Sequence, residues 1–123
     1  MIAKRYGRII MISSIAAYCV KGTLSAYAAA KGAIGSLVHS LAVELGPHGI
    51  TCNGIAPGFF ATELTGARRE DPAFNKYLAE KVPLGRWGTA EEIGPTLVYL
   101  ASAAGKFVNG HILAVDGGYL AAG

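Results

Sequence analysis

Apolar runs that do not alternate with polar residues limit what this chain can fold into. Ile9, Ile10, Met11 and Ile12 follow one another without interruption after Arg8. A strand with one face in water alternates apolar and polar residues, whereas a strand covered on both faces does not. Arg8 to Ser13 is therefore expected to be a strand buried on both faces. Ile50 to Ala56 and His111 to Asp116 read as two further strands, the first of them ending in Pro57-Gly58.

Between the first two strands, Ala26 to Leu45 has helical periodicity. Ala30, Ile34, Leu37, Val38, Leu41 and Leu45 form its expected buried stripe, and Gly46-Pro47 stops it. A second face carries Ala28, Ala29, Gly32, Ala33, Gly35 and Ser36, small enough for close packing within the subunit or against another one. Asp71-Pro72 looks like an N-cap followed by proline at the first helical position, opening a short helix to about Glu80. Thr89 and Glu92 make a capping box for a helix from about Ala90 to Ser102, with Ile93, Leu97 and Leu100 as its buried stripe. The order β-α-β-α-α-β is that of an α/β chain forming the C-terminal half of a doubly wound parallel sheet.

Composition narrows the setting. The 123 residues are 52% hydrophobic and only 15% charged, against about 25% charged in an average soluble domain. Large apolar faces are thus expected to be covered by other chains or by a further part of the domain. No apolar run reaches the ~18 residues that suggest a membrane span, and no signal-peptide pattern is read at the start. The net charge of +3 is spread out, with no basic cluster beyond Arg68-Arg69, so no nucleic-acid partner is expected. Cys19 and Cys52 lack C-x-x-C spacing and, with three scattered histidines, make a poor metal set. They read as buried reduced thiols of a cytoplasmic protein.

The chemistry concentrates between Ser14 and Lys31. Ser14 closes the first strand, Tyr27 follows thirteen positions later, and Lys31 lies four beyond Tyr27. If Ser25 caps the helix, Tyr27 and Lys31 share one face, one turn apart. An ammonium near a phenol stabilises the charge left when the phenolic proton departs, so the pair can serve as a general acid/base. Ser14 would offer its hydroxyl to the oxygen on which charge changes. Ligands of parallel sheets bind beyond the carboxyl ends of the strands, where Ser14 is expected. Gly58, at the end of the second strand, either lets a ligand approach the backbone or serves a simple turn.

Ser14, Tyr27-x-x-x-Lys31, the strand RIIMISS before them and NGIAPGFFAT after them closely resemble the short-chain dehydrogenase/reductase family. The resemblance covers nearly all of Tyr6 to Gly123. It implies a partial NAD(P)-binding domain of Rossmann type over residues 1–123, its catalytic half, with NAD or NADP as cofactor and no metal. It assigns Ser14, Tyr27 and Lys31 as catalytic residues. Tyr27 and Lys31 would also bind the cofactor, Lys31 at the nicotinamide ribose, and Pro57, Gly58 and Thr62 would hold the carboxamide. Residues 59–88 would be the substrate lid, and the helix after Tyr27 an interface of a homo-oligomer, commonly a tetramer. One lid cation could pair with a substrate carboxylate, without any single one being singled out.

Within that family, CNGIAPGFFATELT, VPLGRWGTAEEIGP and FVNGHILAVDGGYLAAG are most similar to members that move hydride to and from C5 of gluconate. Reductases of 3-oxoacyl carrier-protein substrates and other sugar or polyol dehydrogenases are the alternatives. The family's glycine-rich phosphate loop has no counterpart ahead of Arg8, so a carboxy-terminal part of a longer enzyme, or a mis-started reading frame, is expected. By itself such a chain would be inactive, or act only as an oligomerisation module through the small-residue helix and the apolar tail.

Overall fold

The computed structural model describes residues 1–19 and 22–122. Val20 and Lys21, in the loop between Ser14 and Leu24, and Gly123, at the end of the tail, lie outside the described residues.

The chain forms β1 (Gly7–Ile12), α1 (Ser25–Leu45), β2 (Ile50–Pro57), β3 (Phe60–Ala61), α2 (Gly66–Arg69), α3 (Pro72–Lys81), β4 (Gly88–Thr89), α4 (Ala90–Ala101) and β5 (Ile112–Val115). The sheet has the order β1-β2-β5 and both pairings are parallel, with Ile12 opposite Ile55 and Pro57 opposite Val115. This is the α/β architecture expected from the order of elements.

β2 is the buried centre, with Ile50 to Ala56 all inside. β1 departs from expectation. It is an edge of this three-stranded sheet, and Ile12 is 49% exposed. Successive side chains of a strand point to opposite faces. Ile9 and Met11 pack under α1 with Val38, Ala42 and Cys52, while Ile10 and Ile12 face the less covered side.

α1 rotates its core face relative to the expected stripe. Ala28, Val38 and Ala42 are buried with Ile34 and Leu41 beside them, whereas Ala30 and Leu37 are exposed. The small-residue face divides. Ala28 is inside and Gly35 faces Ile112, while Ala29, Ala33 and Ser36 point outward. Leu24, not Ser25, is the N-cap residue, and Ser25 begins the helix without a side-chain cap. In α4, Leu100 is buried but Leu97 is 46% exposed beside exposed Val98 and Tyr99. Composition required such residues: a chain this apolar cannot hide them all in so small a core.

Polar groups inside the sheet explain how the last strand is placed. Asn53, in the middle of β2, donates from Nδ2 to Val108 O and accepts from the His111 N–H at Oδ1. Asn109 answers it, accepting the Cys52 N–H and donating to Ala42 O. The two amides add side-chain bonds to the backbone bonds Gly110 N–H to Cys52 O and Gly54 N–H to His111 O, and so hold the approach to β5 against β2 and α1. Buried backbone groups left without partners are costly. Replacing Asn53 by leucine is therefore expected to lower stability by about 2–4 kcal/mol, read from urea unfolding, because Val108 O and His111 N–H lose their partner together.

Candidate active site

The end of β1 and the first turns of α1 are joined by two hydrogen bonds. Ser13 Oγ donates to Lys31 O at 2.9 Å, and Lys31 Nζ donates to Ile12 O at 2.9 Å. Ser13 is buried. The Lys31 ammonium also lies 5.8 Å from the centroid of the Tyr27 ring, within cation–π range. The lysine is thus held by backbone one turn behind the tyrosine. Ser14 follows in extended conformation, and its Oγ accepts the Ala16 N–H at 3.1 Å. With that lone pair engaged, the hydroxyl proton remains available to another acceptor.

Ser14 and Tyr27 line a common cavity of about 630 Å³, within the size range of small-molecule sites. Gly58 lines it too, whereas Lys31, Pro57 and Thr62 are not among its lining residues. Gly58 is required here by a protein contact: a Cβ would lie 2.7 Å from Asp116 Cα. Its N–H donates to Val115 O. Thr62 precedes a 3₁₀ turn, with its N–H donating to Thr65 Oγ1 and its hydroxyl 3.4 Å from the same oxygen.

The segment 59–88, expected from the resemblance to be a lid, runs through β3, α2 and α3 to β4. Its ends are zipped by the parallel pair β3–β4, with Phe60 opposite Gly88. Inside it, Phe59 meets Phe74, Trp87 and Tyr119 edge to face at 5.7, 6.2 and 5.1 Å. Trp87 Nε1 donates to Asn75 Oδ1, and Asn75 Nδ2 donates to Arg69 O. These aromatics wall the cavity, together with Ile15, Thr65 and Arg68. Sequence reading missed the wall because its residues follow no single period. Their one signal was the density of aromatics after Gly58.

The tail closes the cavity from the other side. Asp116 accepts the N–H groups of Gly118 and Leu120, which folds Tyr119 inward. Tyr119 and Tyr77 share a hydrogen bond of 2.8 Å between their hydroxyls. Burial pushes the Tyr119 phenol up, and the bonds to Tyr77 and Cys19 add to the shift. Cys19 corrects the expectation of two buried thiols: it is exposed, lines the cavity and approaches Tyr119 Oη at 3.9 Å. Cys52 is fully buried, and that burial pushes its thiol up, away from the reactive thiolate. Among the described residues no three His, Cys, Asp or Glu side chains gather as a metal site, and no helix is long and apolar enough to cross a membrane.

Residues 1–120 match a family model described as Enoyl-(Acyl carrier protein) reductase. The chain belongs to the short-chain dehydrogenase/reductase family. It is similar to the 5-keto-D-gluconate 5-reductase of Escherichia coli (strain K12), 45% identical over 99% of this chain and 48% of the relative. It is also similar to the 2-dehydro-3-deoxy-D-gluconate 5-dehydrogenase of Bacillus subtilis (strain 168), 44% identical over 98% of this chain and 47% of that one. Among solved structures, a gluconate 5-dehydrogenase from Burkholderia cenocepacia in complex with NADP and tartrate superposes with a TM-score of 0.94. It is 42% identical, with 98% of this chain and 47% of that one covered. This short-chain dehydrogenase/reductase chain spans about half the length of the curated relatives it matches.

The residues present fit a nicotinamide group. Lys31 Nζ has three donors, of which the bond to Ile12 O occupies one, and Gly58 presents no side chain at the strand end beside Tyr27.

The segment 59–88 is latched to α4 by a bidentate pair, Arg86 to Glu92 at 2.8 and 2.6 Å, with the Thr89 N–H also on Glu92 Oε2. The Arg86 guanidinium, with the Thr89 N–H, holds the Glu92 carboxyl down at about 2. A carboxyl lowered in the folded state stabilises that state above its unfolded value and loses the contribution as pH falls through its folded value. Trp87 fluorescence should therefore report loosening between pH 4.5 and about 2. In Glu92→Gln the part of that transition due to the latch should vanish.

Proposed function

We propose that this chain carries the catalytic residues of an NAD- or NADP-dependent oxidoreductase that interconverts gluconate and 5-ketogluconate. One observation carries the reading: Ser14 and Tyr27 line the same cavity, with Lys31 tied to the end of β1 one turn behind Tyr27. The relatives support the position of the reaction, since both curated names place it at carbon 5 of a gluconate skeleton.

A bound nicotinamide cofactor supplies or accepts the hydride at that carbon. In reduction the Tyr27 hydroxyl donates its proton to the ketone oxygen. In oxidation the Tyr27 oxygen takes the proton of the substrate hydroxyl. Ser14 donates to the same oxygen and holds it beside Tyr27. The Lys31 ammonium stabilises the charge on the tyrosine oxygen while its proton is away, and its remaining donors hold the nicotinamide ribose. The Pro57–Gly58 backbone and the Thr62 hydroxyl hold the carboxamide. The aromatic wall of Phe59, Phe74, Trp87 and Tyr119 excludes water and offers apolar surface to the C–H face of a sugar acid.

The enzyme works as a homo-oligomer in this reading, with the outward Ala29, Ala33, Ser36 and Leu37 of α1 as part of the contact. A 3-oxoacyl thioester demands a cleft open along a long arm, which a small site walled by four aromatics does not favour.

The test uses a full-length enzyme carrying this chain, made by joining it to the amino-terminal half of the Escherichia coli relative. Tyr27→Phe should lower kcat for 5-ketogluconate by about 10²- to 10⁴-fold while leaving NADPH or NADH binding nearly intact. Activity equal to that of the parent would refute the assignment. Substrate class is read separately: kcat/KM for 5-ketogluconate should exceed that for a 3-oxoacyl thioester by at least about tenfold, a transition-state difference of about 1.4 kcal/mol.

A further inference from the structure

We infer that Arg68 is the residue that receives the substrate carboxylate, and so sets the preference for sugar acids over neutral sugars. The inference rests on the sugar-acid reading above. Among the described residues lining the cavity, Arg68 is the only one with a charged side chain. The other lid cations, Arg69, Lys76 and Lys81, do not line it. Arg86 does not either, and its guanidinium is committed to Glu92.

Arg68 is held in position without being neutralised. It lies in the single turn of α2, where the Asp71 N–H donates to Arg68 O, and the neighbouring Arg69 O, at the end of α2, is gripped by Asn75. Its guanidinium lies 5.7 Å from the centroid of the Phe74 ring, in a cation–π contact. No ion pair or side-chain hydrogen bond joins it to another described residue. A guanidinium resting on an aromatic face keeps its N–H edges free, and that fork matches a carboxylate bidentately. In gluconate the carboxylate is at C1 and the reacting carbon is C5, at the other end of the molecule. Ser14 and Tyr27 hold the reacting end, so a lid cation on the same cavity suits the far end. A Lys at this position would supply charge without the fork.

The measurement compares kcat/KM for 5-ketogluconate with that for L-sorbose, which has the same skeleton with CH₂OH in place of the carboxylate. In the full-length enzyme carrying this chain, Arg68→Gln should reduce the ratio of the two by about 10- to 100-fold, the range of one charge-assisted hydrogen-bonded contact. Arg68→Lys should recover part of it. Because the ratio is taken within each variant, general damage to the fold cancels, and an unchanged ratio overturns the inference. A second readout does not depend on turnover. Tartrate titration, followed by the fluorescence of Trp87, should give a Kd weakened by a similar factor in Arg68→Gln. If the parent enzyme shows no preference for the acid, the sugar-acid reading fails, and the tartrate titration then decides for Arg68 alone. Equal tartrate affinity in the two proteins, or no tartrate binding to the parent, would overturn the anion site.

Discussion

The seam between β1 and α1 is the constraint on which the rest depends. Ser13 Oγ reaches the carbonyl of Lys31, and the Lys31 ammonium reaches back to the carbonyl of Ile12. The first ties the residue after β1 to a carbonyl in the second turn of α1, and the second ties the lysine of that turn to the last carbonyl of β1. Together they fix the helix against the strand at one register. That register places Ser14 and Tyr27 on one cavity wall. A lysine anchored in this way has spent a donor on structure and kept its charge near the tyrosine ring. Position and chemistry are thus supplied by the same side chain.

A second arrangement keeps the opposite wall in place. β5 is short, and it is brought to β2 by amide side chains rather than by a long ladder. Asn53 and Asn109 each bridge two backbone groups across the turn that leads into it. Beyond β5, Asp116 folds the tail back with two further bonds, and Tyr119 enters the aromatic cluster. The lid is closed at its ends by β3–β4 and filled by Phe59, Phe74 and Trp87. Edge-to-face aromatic contacts add only about 0.5–1.5 kcal/mol each beyond their buried area.

The apolar surface left outside follows from the same economy of size. A core made of one helix face, a central strand and an aromatic lid cannot cover Leu37, Val43, Leu97, Val98 and Phe107, all of which are exposed. The chain spans about half of its curated relatives, and contacts of this kind are where further protein surface would add most to stability.

Local pattern determined a good deal by itself. The three strands, the long helix, the Asp71-Pro72 start of α3 and the Thr89–Glu92 box were legible because capping and periodicity act within a few residues of the chain. The spacing of Ser14, Tyr27 and Lys31 was legible as well, and in the structure Ser14 and Tyr27 line one cavity while Lys31 bonds to the end of β1. Tertiary structure decided what depends on residues far apart. It turned α1 so that Leu37 faces out and Ala42 faces in, because the row that meets Ile9, Met11, Cys52 and Ile112 of the sheet is the one buried. It made β1 an edge, since edge or centre is a property of neighbours. It used Gly58 for the approach of Asp116, gave the two asparagines their partners, and put Arg68, the one charged side chain among the described lining residues, at the cavity wall while Arg86 was taken by Glu92. Which of several like charges is free is set by distance in space, and sequence records only distance along the chain.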